Sequence, residues 1–302
     1  MELIWIPISV LGALMQAVRT AGQKSLNARL STMVTTYVRS IFGMPLLLLY
    51  LWAVSAGTGQ SIPEIHAPFL LYSLGASIAQ VAATVFLIQL FTLRNFAVGT
   101  TLTKTDTMLT AVIGSIFFSE VISGTGWLAV ALTLAGVILI SVARVGVRVF
   151  AIQGGGFEAW KPTIIGFASA LGFCLSYLFL REASLSLGEG DFLIRAASTV
   201  VAVTGFQVVF LGLWLFIRER EGLMAMLPDW RLCAFIGVTS AVGSICWFTA
   251  MTIENASYVK SVGQVEAVFT LLISSLYFKE KFTVTELAGI AVLIAGVLLF
   301  LL

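Results

Sequence analysis

Long apolar stretches alternate with short polar joints from one end of the chain to the other. Ten stretches have the length of about 20 residues that carries a helix across roughly 30 Å of hydrocarbon. They are residues 2–20, 33–55, 67–92, 96–118, 124–143, 162–186, 191–217, 231–252, 257–278 and 283–302. Strands of a lipid-spanning barrel would instead show segments of about ten residues with alternating polarity, and that alternation is absent. Helices are then the remaining way to satisfy the backbone inside lipid. The pattern predicts an all-α integral membrane protein with ten transmembrane helices. The longest joint, Arg144 to Lys161, carries Gly154-Gly155-Gly156 and is too short for a soluble domain.

The pattern is written twice. Leu90 to Ile140 returns without a gap as Ala250 to Phe300, 160 residues later, the mark of an internal duplication. Asn95 falls on Asn255, Ser115 on Ser275, Phe118 on Phe278, Glu120 on Glu280, and Ala135-Gly136-Val137 on Ala295-Gly296-Val297. Arg39 and Arg195 hold matching early positions in spans 2 and 7, which extends the duplication into less similar regions. The expected division is a first five-helix repeat over 1–148, a Gly-rich linker over 149–161 and a second five-helix repeat over 162–302. Five is odd, so two copies of one fold must lie in opposite orientations, as inverted repeats about an axis in the membrane plane. An even number of spans puts both termini on one side. Basic residues near the helix ends, among them Lys24, Arg29, Arg94, Arg144, Arg148, Lys161, Arg218, Arg220, Arg231, Lys279 and Lys281, gather on the other side against Arg181. Read literally, that bias places both termini outside.

Composition decides the solvent. Charged residues make up 11% of the chain and hydrophobic ones 59%, against about 25% charged in a soluble domain. The net charge of +2 gives no reason to expect a nucleic-acid partner. The N-terminus lacks the basic region and small-residue cleavage site of a signal peptide, so its apolar stretch is expected to be retained as the first span. Cys174, Cys233 and Cys246 lie within spans without ligand-like spacing and are expected to pack. The only histidine, His66, falls in a loop, and neither a nucleophile elbow, a metal-ligand cluster nor a phosphate-binding GxxxxGK[ST] is present. The expectation is a protein that is not an enzyme, needs no cofactor and is not driven directly by ATP.

Charge inside a span costs several kcal/mol unless it is paired or wetted. Span 4 carries Lys104 and Asp106, and the repeat places Gln264 and Glu266 at the same positions in span 9. Residues two apart on a helix point in nearly opposite directions, so Lys104 and Asp106 need different partners. Lys104 is expected to pair with Glu266, which leaves Asp106 toward a cavity or another helix as the proton-sensitive member. The other reading is a charge network that only locks the bundle. Lys260, in the first turn of span 9, is expected to snorkel to the interface, with an anionic substrate as the alternative. Arg39 invites both readings. Gln16, Gln80, Thr84, Gln89 and Gln207 add neutral polar positions, and Gln80 with Thr84 forms a stripe on span 3 that suits either a cavity wall or interhelical hydrogen bonds. Tyr177, Trp247 and Phe248 suit either packing or an aromatic wall for an organic substrate. Glu120 and Glu280 sit at span ends, where caps for the turns into spans 5 and 10 are expected. Ala131 with Ala135, and Ala291 with Ala295, present small residues four apart for close helix approach within one chain or between two.

The doubled block, Asp106 through Glu120 with Ala135-Gly136-Val137 and Glu266 through Glu280 with Ala295-Gly296-Val297, resembles the paired EamA domains of the drug/metabolite transporter superfamily. Arg39, Arg195 and the aromatic segment Cys246 to Met251 fit the same pattern. The resemblance covers essentially the whole chain. It implies a ten-helix secondary transporter, commonly an exporter of amino acids or other small metabolites, working by alternating access around a central cavity. It places the chain as a multi-pass protein of the inner or plasma membrane, monomer or homodimer, whose partners are a small-molecule substrate and membrane lipid and whose flux is driven by an ion such as the proton or by the substrate gradient. Carriers of organic phosphates, nucleotide sugars or lipid head groups are the alternative within transport, and a channel or a membrane-embedded enzyme the alternative outside it. Two features depart from the family. Its members often carry proline in spans 4 and 9, where this chain has Thr107 and Ala267, so no proline kink is expected. They also keep both termini in the cytoplasm, against the basic-residue bias.

Overall fold

A computed structural model describes residues 3–93, 103–145, 157–278 and 283–301. Asn95, Arg94, Arg148, Gly154 to Gly156, Lys279, Glu280 and Lys281 lie outside the described residues. Regular structure among the described residues is helical: α1 (Trp5–Asn27), α2 (Thr32–Ile41), α3 (Met44–Thr58), α4 (Ala67–Leu93), α5 (Asp106–Phe117), α6 (Gly124–Val145), α7 (Phe157–Ser186), α8 (Phe192–Arg218), α9 (Arg220–Ala225), α10 (Trp230–Ile253), α11 (Ala256–Gly263), α12 (Glu266–Phe278) and α13 (Val284–Leu298). Start signals in the sequence set several of these ends. Ser31 caps α2 by accepting from the Val34 N–H at 3.3 Å, Asp191 caps α8, and Thr283 with Glu286 closes a reciprocal capping box on α13.

Seven helices among the described residues are long and apolar enough to cross a membrane: Thr32–Thr58, Ala67–Leu90, Gly124–Ala143, Lys161–Ser186, Phe192–Arg218, Trp230–Ile253 and Val284–Leu301. The other three expected spans differ for physical reasons. α1 carries Gln16, Arg19, Gln23 and Lys24 along its second half. Spans 4 and 9 are interrupted, so that α5, α11 and α12 have 12, 8 and 13 residues and none spans alone. Span 2 is also stepped between α2 and α3. There Pro45, in the first turn of α3, has no N–H to donate back into α2.

The chain divides into two compact units, one of residues 1–81 with 175–254 and one of residues 82–174 with 255–302. Each draws on both sequence repeats. In the first, α1 lies along α10, and α2, α3, α8 and α10 pack among themselves over a core that includes Leu26, Val34, Val38, Leu215 and Ile236. In the second, α6 and α13 form the principal helix pair, with Val137, Ile140, Leu271 and Leu293 buried between them and α12. Backbones touch along that pair. A Cβ built on Gly136 would lie 2.5 Å from the Leu293 nitrogen, and one on Gly296 would lie 2.7 Å from the Thr133 nitrogen. The small residues expected to do this, Ala131, Ala135, Ala291 and Ala295, instead face outward, so the contact uses the glycine stripe one position around the helix.

Candidate functional site

In the second unit the interruptions of spans 4 and 9 fall at repeat-equivalent positions. α5 starts at Asp106 after a turn through Lys104 and Thr105, and the Thr107 N–H reaches only the Lys104 carbonyl, at 3.4 Å. α11 ends at Gly263 and α12 starts at Glu266. Between them Gln264, Val265, Ala267 and Val268 each donate three residues back, to Ser261, Val262, Gln264 and Val265, at 2.9–3.1 Å. Such bonds tighten the chain to a 3₁₀ turn and redirect it. The break therefore forms without proline, with Thr107 and Ala267 where the family pattern has it.

Each interruption presents charge to the other. Lys104 Nζ donates to Glu266 Oε2 at 2.7 Å, the pair expected from the spacing. Asp106 is not left over: its Oδ2 lies 3.3 Å from Lys260 Nζ. Lys260 accordingly does not snorkel. Its side chain is 5% exposed and that of Asp106 6%, against 17% and 12% for Lys104 and Glu266. Two cations and two carboxylates thus cancel within one network, as charge buried in a helix bundle requires. Neutral groups extend it. The Thr107 hydroxyl donates to Asp106 Oδ1 at 3.2 Å and accepts from Gln264 Nε2, while the Gln264 Oε1 is buried with no hydrogen-bond partner among the described residues. Thr107 was missed by sequence reasoning, although its place beside Asp106 was the available signal.

Glu120 closes the same unit from the far end of α5. The backbone turns left-handed at Ser119, with φ 55°, and delivers the Glu120 carboxylate to the N-terminus of α11. It accepts from the Ala256 N–H at 2.7 Å, the Ser257 hydroxyl at 2.8 Å and the Ser257 N–H at 3.4 Å. A carboxylate here satisfies orphan donors and meets the positive end of the helix. The expected cap exists, but it serves the first half of span 9 rather than the turn into span 5. Thr84 is also buried in this unit.

In the first unit the polar residues converge on Arg39, in the last turn of α2. Its Nη2 donates to Gln80 Oε1 on α4 at 2.8 Å and to Gln207 Oε1 on α8 at 3.2 Å. Gln207 also accepts from the Ser40 hydroxyl at 2.8 Å and donates through Nε2 to Gln80 Oε1 at 2.6 Å. Arg19 and Tyr177 lie near enough to act on the Arg39 charge. Ser40 was missed; Arg195, the repeat-mate of Arg39, is not a hydrogen-bonding member of the group. Trp247 is buried against α1, where a Cβ on Gly12 would lie 3.3 Å from the indole. Gln16 sits one turn further along α1, part-buried. Gln80 and Thr84, expected as one stripe, fall in different units.

Comparisons with known proteins agree with this architecture. The model of the EamA-like transporter family matches the chain twice, over residues 3–142 and 160–302. A protein of Synechocystis sp. named only as an uncharacterized transporter is 26% identical over 212 residues, which make up 67% of this chain and 62% of that relative. The chain thus spans less than two thirds of that relative's length. A protein of known crystal structure shares the fold at 14% identity, with a TM-score of 0.74 over 99% of this chain and 96% of the other. With apolar helices of spanning length and both halves matched, the chain is a multi-pass membrane protein that belongs to the EamA-like transporter family.

Proposed function

We propose that the chain is a secondary carrier that exports small amphipathic metabolites, amino acids foremost, by alternating access. Its ten spans would form two inverted five-helix repeats, 1–148 and 162–302 about the linker 149–161, in the inner or plasma membrane. The observation that carries this reading is the crossed pair of ion pairs, Lys104 with Glu266 and Lys260 with Asp106, at the interruptions of spans 4 and 9. Interrupted helices supply carriers with hinges and polar groups inside the membrane. A net-neutral network can open and re-form as the helix halves move, and opening it exposes two carboxylates that a proton can neutralise. The more exposed pair, Lys104 with Glu266, is the better candidate for that step, and the part earlier expected of Asp106 passes to Glu266. Of the cations a phosphate carrier would turn toward its cargo, Lys104 and Lys260 already face carboxylates, which among the described residues leaves Arg39 as the cation open to an anion.

Counterflow in proteoliposomes tests the reading. Purified protein loaded with an unlabelled amino-acid mixture should drive transient accumulation of the labelled members it carries, with saturable rates. Flux that rises linearly with concentration and shows no counterflow would mark a channel; product formation without net movement would mark an enzyme.

A further inference from the structure

The network in the second unit is neutral, and the Arg39 site in the first unit is not. Arg39 is 8% exposed, yet its hydrogen-bond acceptors are two amide oxygens, and no carboxylate among the described residues pairs with it. A guanidinium carries five N–H donors. Nη2 uses its two on Gln80 and Gln207, while Nε and Nη1 make no hydrogen bond to a described residue and are not among the fully enclosed polar atoms. Amide dipoles orient a guanidinium without cancelling its charge. In the second unit Lys104 and Lys260 each face a carboxylate. A cation held only for architecture would be expected to receive one too.

We propose that Arg39 is the centre of an oxyanion site that takes the carboxylate of an organic solute, with Gln80, Gln207 and Ser40 holding the guanidinium so that Nε and Nη1 face the ligand. The charge missing from the protein arrives with the cargo. The proposal rests on the carrier reading for the role of that solute and deepens it by naming the chemical group recognised.

The test is equilibrium binding, so it does not depend on transport. The full-length protein in neutral detergent is titrated with propionate and with its isosteric neutral amide propionamide, at constant ionic strength, and its thermal unfolding is followed. Both probes are small enough to enter any cargo site. Propionate should bind about tenfold more tightly than propionamide or better, as expected for charge-assisted hydrogen bonds. Arg39→Gln should erase that discrimination. Since Arg39→Gln also removes a buried network member, Gln207→Glu supplies an independent arm: it gives Arg39 an internal counter-ion, should keep or raise the melting temperature, and should abolish propionate binding. A third arm compares nanodiscs of phosphatidylglycerol with nanodiscs of phosphatidylcholine. The proposal is overturned if wild type binds the two probes equally, if Gln207→Glu binds propionate as wild type does, or if phosphatidylglycerol stabilises wild type but not Gln207→Glu while propionate has no effect, which would assign the site to a lipid headgroup. Propionate binding without counterflow would keep this site and remove the carrier reading; counterflow with equal probe binding would do the reverse.

Discussion

Lys260→Met would strand the Asp106 carboxylate at the less accessible of the two ion pairs. Distance alone ranks the two ion pairs the other way. At an effective dielectric constant of about 20, charges 2.7 Å apart attract by about 6 kcal/mol and charges 3.3 Å apart by about 5 kcal/mol. That difference is smaller than the effect of screening, because the Lys104–Glu266 side chains are 17% and 12% exposed and the Lys260–Asp106 side chains 5% and 6%. Breaking an enclosed pair from one side costs about 3–5 kcal/mol, most of it the penalty of the partner left behind. Lys260→Met should fall in that range. Lys104→Met should cost less, about 1–3 kcal/mol, between the enclosed and the surface case. Adding Asp106→Asn to Lys260→Met removes the stranded charge while retaining an oxygen for the Thr107 hydroxyl, and should recover at least half of the loss. The assay is a double-mutant cycle on each pair, read as fraction unfolded against SDS mole fraction in mixed micelles. Two results would refute the reasoning: a double variant no more stable than Lys260→Met, or a loss at Lys104 equal to or larger than that at Lys260.

Glu120→Gln keeps one acceptor for the α11 N-terminus and loses the charge, so it should destabilise by about 1–2 kcal/mol, and Glu120→Ala should cost more; equal stability of all three in the same micelle titration would mean that the carboxylate does not hold α11. Gly136→Ala places a methyl where the Leu293 nitrogen lies at 2.5 Å and the Gly289 carbonyl oxygen at 2.8 Å, and should cost about 1–3 kcal/mol or more by forcing α6 from α13. The same methyl-scale change on the outward face, Ala135→Ser, should be nearly silent, and comparable losses at the two positions would contradict the glycine-mediated contact.

Much of this protein is legible along the chain, because a membrane helix is a local object. Its length follows from the thickness of hydrocarbon and its hydrogen bonds close within the segment, so apolar runs alone mark α3, α4, α6, α8, α10 and α13. Caps are equally local, and Ser31, Asp191 and Thr283 with Glu286 can be read directly. The duplication and the presence of charge in spans 4 and 9 follow from the sequence as well, and the cost of isolated charge in lipid requires that Lys104 and Asp106 have partners. It does not say which. Lys104 found Glu266 because the repeat placed them at related positions, whereas Asp106 took Lys260, earlier in span 9, because the turns at Lys104–Thr105 and Gln264–Val265 redirect the halves of both spans. No proline announces those turns. Arg39 shows the same limit: Gln80 and Gln207 are 41 and 168 residues away, and their convergence depends on how α2, α4 and α8 pack. Glu120 capping α11, 136 residues on, and glycines rather than alanines at the contact of α6 with α13 are likewise set by tertiary structure. A sequence records which groups must be satisfied, since burial energies belong to single residues; the choice of what satisfies them belongs to pairs, and pairs are made only when the helices meet.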